Sequence, residues 1–220
     1  MRKANQRSLR IQALESRNPL AGNIIGNLVG TTLALGGDAA DNQLVVTEVA
    51  PNQIQVTGLA GTTINGAPAQ LFASNLIETV IIRTADGNDE VKVEHLSLTD
   101  TANGNLSIYT SHGNDVVKLL NVTTTQQIKV ETGVHNDRVD ARRVSTNGIL
   151  FVNTDQGDDQ VRMSWAKAKD LKIETHQGSD VVSVYAAKAL NDIGVSTGQE
   201  NDYIRLSRMR AGNDIEIRSE

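Results

Sequence analysis

The chain has 220 residues, a formal net charge of −5, four His and no Cys. Its length suits one extended domain. The missing Cys excludes a disulfide framework and a thiolate metal site, and the acidic balance argues against general nucleic-acid affinity, which needs dense positive charge. Hydrophobic residues make up 39% of the chain and aromatics only 3%, so the core must be aliphatic. No run of 18 apolar residues is present, so no membrane-spanning helix is expected.

Residues 1–37 read as a basic N-terminal tail, disordered or used in targeting. Arg2, Lys3, Arg7, Arg10 and Arg17 stand against Glu15 alone within residues 1–18. The apolar centre of an ordinary signal peptide is missing, because AGNIIGNLVGTTLALGG is interrupted by Gly, Asn and Thr. The stretch Leu14-Glu15-Ser16-Arg17-Asn18-Pro19-Leu20 resembles the LEPR-XLL element found near the start of large planctomycete envelope proteins. It keeps the Leu, Glu, Arg and final Leu, with Ser16 and Pro19 at changed positions. The resemblance implies an exported, extracellular or cell-envelope protein.

Residues 38–79 read as an N-terminal capping segment. Leu44–Val49 and Gln53–Thr57 alternate apolar with polar about the turn Ala50-Pro51-Asn52, which predicts a hairpin. Thr62–Gly66 predicts a further short strand ending in an Asn-Gly turn. The phrase from VTGLAGTTINGAP to LIETVIIRTADGNDEV resembles the entry segment of secreted bacterial β-solenoid proteins. An irregular leader is expected here, because the first coil of a solenoid exposes strand edges that something must cover.

Residues 80–220 repeat. Val80, Leu106, Ile128, Leu150, Leu171, Ile193 and Ile215 open similar phrases at spacings of 26, 22, 22, 21, 22 and 22 residues. Self-similarity at this period is the signature of a solenoid. Within each phrase apolar residues alternate with polar ones, which is strand periodicity and not the three-and-four spacing of a helix. Three apolar patches per phrase predict three short parallel strands per coil, stacked about 4.8 Å apart. Parallel crossovers are right-handed in about 98% of cases. The expected fold is therefore all-β: a single-stranded right-handed parallel β-helix of about six coils, each of about 22 residues, behind an irregular N-terminal cap. The insertion LTDTANGN lengthens the first coil and is expected to bulge as a loop.

Two columns carry chemistry. One is Thr84, Thr110, Thr132, Thr154, Thr175 and Thr197; the other is Asp89, Asp115, Asp137, Asp159, Asp180 and Asp202. The turns Gly87-Asn88-Asp89, Gly113-Asn114-Asp115, Gly157-Asp158-Asp159 and Gly178-Ser179-Asp180 resemble half of the calcium-binding RTX nonapeptide G-G-x-G-x-D-x-U-x. That resemblance implies calcium held by the six Asp residues. RTX turns recur every nine residues so that two half-sites face one ion, whereas here one turn falls in each coil. The residues by themselves favour metal-free turns with no cofactor. Stacked carboxylates then repel by roughly 1 kcal/mol per neighbouring pair in water, so backbone N–H groups, a cation, or basic residues must offset them. Lys92, Lys118, Arg162 and Arg205, three positions after Asp, are available for that purpose.

A second basic cluster comprises Arg142, Arg143, Lys167, Lys188, Arg208 and Arg210, with Tyr109, Phe151, Trp165 and Tyr185 in outward strand phase. It reads either as a solvated face or as a surface for acidic polysaccharide. Among β-helix enzymes that degrade pectin, clustered carboxylates act with calcium or His, and Asp155, Asp158, Asp159 and His176 invite the comparison. Asp158 and Asp159, however, sit in the turn that every coil repeats, and His95, His112, His135 and His176 fall at scattered polar positions. The expected function is a non-catalytic structural or interaction module, exported or envelope-associated. The alternatives are a polysaccharide-binding or pectate lyase-like β-helix and a calcium-binding solenoid. The final strand, with Ile215 and Ile217 inward and Glu216 and Arg218 outward, is expected to pair with the sixth coil; charge on its edge favours a monomer over an end-to-end dimer.

Overall fold

The computed structural model describes residues 22–219. The LEPR-XLL-like element lies outside the described residues. Six strands form the cap: β1 (Asn23–Val29), β2 (Thr32–Gly36), β3 (Gln43–Ala50), β4 (Gln53–Gly58), β5 (Thr63–Ile64) and β6 (Ala69–Ala73). The coils follow. The first three are β7 (Thr79–Arg83) with β8 (Glu90–Leu98), β9 (Asn105–Tyr109) with β10 (Val116–Thr124), and β11 (Gln127–Glu131) with β12 (Arg138–Thr146). The next two are β13 (Ile149–Asn153) with β14 (Gln160–Ser164) and β15 (Lys167–Ala168), then β16 (Asp170–Glu174) with β17 (Val181–Tyr185) and β18 (Lys188–Ala189). Strands β19 (Ile193–Ser196) and β20 (Tyr203–Ser207) make the sixth coil, and β21 (Ile215–Arg218) begins another.

The architecture is a β-solenoid of stacked parallel coils, as the repeat predicts. One sheet runs β7-β9-β11-β13-β16-β19-β21 and the other β8-β10-β12-β14-β17-β20. The register pairs the residues that open each phrase: Val80↔Leu106, Leu106↔Ile128, Ile128↔Leu150, Leu150↔Leu171, Leu171↔Ile193 and Ile193↔Ile215. The third expected face is present. In the first three coils it is the far half of β8, β10 and β12, and in the next two it is the separate strands β15 and β18. Between the second and third faces the chain bends at His95, Asn121, Arg143, Trp165, Ala186 and Arg208, each with φ between 52° and 55°.

Alternation puts one face of every strand in the core. Val91, Val117, Val139, Val161 and Val182 are all fully buried and stack as one column. Completely burying a side chain of this class stabilises by about 1.5–3 kcal/mol, so every coil adds to the stability through this column and the other buried columns beside it.

The cap differs from expectation in extent and in order. Residues 22–37, expected within the basic tail, belong to it, and it is built from regular hairpins. Strand β1 pairs antiparallel with β2, and β3 with β4. Strands β2 and β3 also run parallel to β7 and β8, with Leu33↔Val80, Leu35↔Ile82, Leu44↔Val91 and Val46↔Val93. They thus supply two faces of a coil before the first full one. Antiparallel β1 and β4 then turn each sheet back on itself, which covers the parallel edges.

Candidate functional site

The sequence-predicted Asp residues lie at the turn joining the first and second faces. Gly87, Gly113, Gly157 and Gly178 precede them with φ of 118°, 134°, 147° and 132°. A Cβ at Gly113 would stand 1.8 Å from the Gly87 carbonyl oxygen of the coil before it. Glycine is needed both for the positive φ and for that approach. His135 and Glu200 occupy the equivalent place with φ of 89° and 93°.

The turn sends Asp inward. Asp89, Asp115, Asp137, Asp159 and Asp180 are at most 2% exposed. Each Oδ1 accepts the backbone N–H of the residue in the same column one coil earlier: Asn42 to Asp89 (2.7 Å), Asp89 to Asp115, Asp115 to Asp137 and Asp137 to Asp159 (2.8 Å each). Asp159 donates to Asp180 at 2.8 Å and Asp180 to Asp202 at 2.9 Å. Backbone N–H groups are therefore the donors that meet the carboxylates. Lys92 pairs with Glu94 and Lys118 with Glu90, not with the Asp column. Of the expected alternatives, the backbone N–H groups are the ones found and the basic column is not, because the carboxyls sit inside the coil and the lysines outside it.

A second ladder, which sequence reasoning missed, runs the other way on the outside of the same turn. Asn88 N–H donates to Asp41 Oδ1 at 2.8 Å, Asn114 to Asn88 at 2.9 Å, Asn136 to Asn114 at 3.1 Å, Asp158 to Asn136 at 3.0 Å and Ser179 to Asp158 at 2.9 Å. Its signal was the short polar residue, Asn, Asp or Ser, immediately before every column Asp.

Among the described residues, one oxygen per inner carboxyl has no partner. Oδ2 of Asp89, Asp115, Asp137, Asp159, Asp180 and Asp202 is buried and makes no hydrogen bond, and neither does Oγ1 of Thr84, Thr132, Thr154 or Thr197. Burial of the charge pushes the carboxyl of Asp89 up to about 6, Asp137 to about 8, Asp159 to about 7 and Asp180 to about 6, and also raises Asp115. The Thr hydroxyl five residues upstream draws each value back down, although the pair is not aligned as a full hydrogen bond. The Thr hydroxyls are the side-chain donors nearest these oxygens, and a proton retained on Asp137, whose carboxyl is pushed up to about 8, adds another. Thr110 and Thr175 Oγ1 already donate to the next coil's Thr132 and Thr197 carbonyls, at 3.1 and 3.3 Å, so they are free to accept from the acid.

The other candidates separate. Asp159 is buried, Asp158 belongs to the outer ladder, and Asp155 shares a shallow groove with His176 on the neighbouring coil. His95, His112, His135 and His176 are exposed, and His112 sits 3.0 Å from Asp86. Among the described residues no three His, Cys, Asp or Glu side chains converge as a metal-binding set.

The basic cluster gathers where the second face bends into the third on the later coils. Trp165 is 49% exposed and meets Tyr185 edge to face at 5.6 Å. Arg142 lies over Trp165 and Arg208 over Tyr185, at 5.6 and 5.2 Å. Tyr109 and Phe151 instead lie on the first face, beneath Lys129 and Lys172 respectively. Comparison with protein-family models, with curated proteins and with solved structures returned no match.

Proposed function

We propose that the chain is a non-catalytic structural and interaction module, exported or held at the cell envelope. The observation that carries this reading is that Asp, the one ionisable residue repeated in every coil, is engaged inside the scaffold. Each inner carboxyl joins one coil to the next through a backbone N–H. The repeated chemistry holds the solenoid, and the outward side chains vary from coil to coil. Export rests on the resemblance of Leu14–Leu20 to the envelope-protein element.

The competing enzyme reading would place an acid and a base in the groove shared by Asp155 and His176. The test is incubation of the full chain with alginate, pectate and other acidic polysaccharides, following new reducing ends and unsaturated products. No turnover is expected. Turnover abolished by His176→Ala would overturn the proposal.

A further inference from the structure

The surface cations of this acidic chain are distributed in two ways. On the earlier coils and on the first face most of them stand beside an acid: Lys92–Glu94 at 2.8 Å, Lys129–Glu131 at 2.8 Å, Arg138–Asp140 at 2.8 Å and Lys172–Glu174 at 2.6 Å. On the third face of the fourth to sixth coils the pattern changes. Lys167 pairs in register with Lys188, and Lys188 with Arg210, so three exposed cations stack in one column at strand spacing. Among the described residues none of the three makes an ion pair. Like charges at directly neighbouring positions destabilise a sheet, and at about 5 Å they repel by roughly 1 kcal/mol per pair in water.

The bend beside this column adds more of the same charge. Arg143, Trp165, Ala186 and Arg208 form it, and all have positive φ. Glycine adopts that conformation at least cost, yet the bend carries two guanidinium groups and a half-exposed indole. Trp165 is held upright by Tyr185 and flanked by Arg142. The strip thus combines cations without an acidic partner on three successive coils with a half-exposed aromatic ring among them.

We propose that this strip binds a linear anionic polysaccharide running along the solenoid axis. This rests on the reading of the chain as an interaction module and names its ligand. Cations at strand spacing, about 4.8 Å, match a polymer whose charge recurs with each sugar unit or every second one. Arg presents paired donors to carboxylate or sulfate, and the half-exposed Trp165 adds apolar ring surface for a sugar. The net charge of −5 disfavours the denser charge of a nucleic acid.

The experiment measures binding of the full chain to alginate, dextran sulfate and neutral dextran by calorimetry in EDTA, at low and moderate salt, with duplex DNA as a further arm. Two variants accompany the parent. Lys188→Glu places an acid between Lys167 and Arg210 and should leave the melting temperature unchanged or higher. Trp165→Ala is compatible with the bend, because Ala186 occupies the same position one coil on. The expected result is salt-sensitive binding to an anionic glycan and none to dextran, weakened at least tenfold by Lys188→Glu and several-fold by Trp165→Ala. Preference for alginate or for dextran sulfate tells carboxylate from sulfate as the anion, and either supports the proposal. Absence of binding to both at low salt overturns it, as does binding that neither variant changes or tighter binding to DNA. None of these outcomes bears on turnover, so failure here is distinguishable from failure of the non-catalytic reading.

Discussion

Asp137 is the point at which the buried ladder can be tested most directly. Burial, and then the charges of Asp115 and Asp159, push its carboxyl from 3.8 to about 8, against the pull of the Thr132 hydroxyl and the Asp115 N–H. A carboxyl whose folded pKa is raised contributes its full stability below the unfolded value and loses it as pH rises through the folded one. The window here runs from about 4 to about 8, so the folded state should weaken toward alkaline pH, opposite to ordinary acid denaturation. Each unit of pKa is worth about 1.4 kcal/mol, and the full gap would be about 6 kcal/mol. Part of that gap comes from charged neighbours that themselves retain protons, so the realised loss between pH 5 and pH 9 should be about 2–4 kcal/mol. Asp137→Asn keeps the Oδ1 acceptor for Asp115 N–H and removes the charge. Asn42 shows that the column accepts an amide: its backbone N–H bonds Asp89 Oδ1 at 2.7 Å and its Nδ2 reaches the Thr84 carbonyl at 3.1 Å. Urea unfolding of parent and variant across pH 5–9 is the assay. The variant should equal the parent near pH 5 and exceed it by about 2–4 kcal/mol at pH 9, following the same conversion. A parent that grows steadily more stable from pH 5 to pH 8, or a variant with an unchanged slope, would refute the reasoning.

Val161 is fully buried between Val139 and Val182, so Val161→Asp should cost several kcal/mol or unfold the neighbouring coils; an unchanged melt would show the register to be wrong. Gly113→Ala must move the Gly87 carbonyl away from a Cβ only 1.8 Å distant while holding φ at 134°. It should lose more than about 1 kcal/mol, and urea unfolding that matches the parent would count against the close approach of these turns. Calcium titrated into the folded chain should show no micromolar sites, because each Asp Oδ1 is held by a backbone N–H; several such sites per chain would restore the calcium reading.

The stacked coils were legible because one apolar pattern recurs with little change. The inward direction of Asp was also legible in parity and was passed over. Val80, Ile82 and Thr84 share one strand phase, and Asp89, Val91 and Val93 share another. Both phases place the polar residue inside. Charged residues are rarely buried without a partner, so the pattern left backbone N–H groups, a cation and basic residues as rival partners for the Asp column. What decides among them is a donor the side-chain pattern cannot display, the N–H of the preceding coil. The preliminary coil was hidden for a different reason. Leu33–Asn42 repeats the nine-residue offset of Val80–Asp89, and Leu44 and Val46 follow as Val91 and Val93 do. Gly37 stands where Thr84 does, however, and Asn42 where Asp89 does, so neither marker column includes them. The bend could not be read at all, since His95, Asn121, Arg143, Trp165, Ala186 and Arg208 share only a backbone angle.

The two ladders explain which parts of the repeat can vary. From the first apolar residue of each coil to its Asp the offset is nine residues in all six coils. That segment contains the turn where inner and outer hydrogen bonds run in opposite directions between neighbours, so adding or removing a residue would break both sets at once. The variation in coil length falls elsewhere, after the third face. The offset is four from Thr124 to Ile128 and from Thr146 to Leu150, three from Ala168 to Leu171, and eight from Leu98 to Leu106. The insertion LTDTANGN lies in the longest of these connections, outside both ladders, where Gly104 N–H and the Thr101 and Ala102 carbonyls bond Thr125 and Gln126 of the next coil. A solenoid whose coils are clamped at one turn can accept loops only at another. On the same argument Arg143, Trp165 and Arg208 stay aligned across coils of unequal length. The clamp resets the register before each bend, and the outward side chains at the bend are free to change without disturbing it.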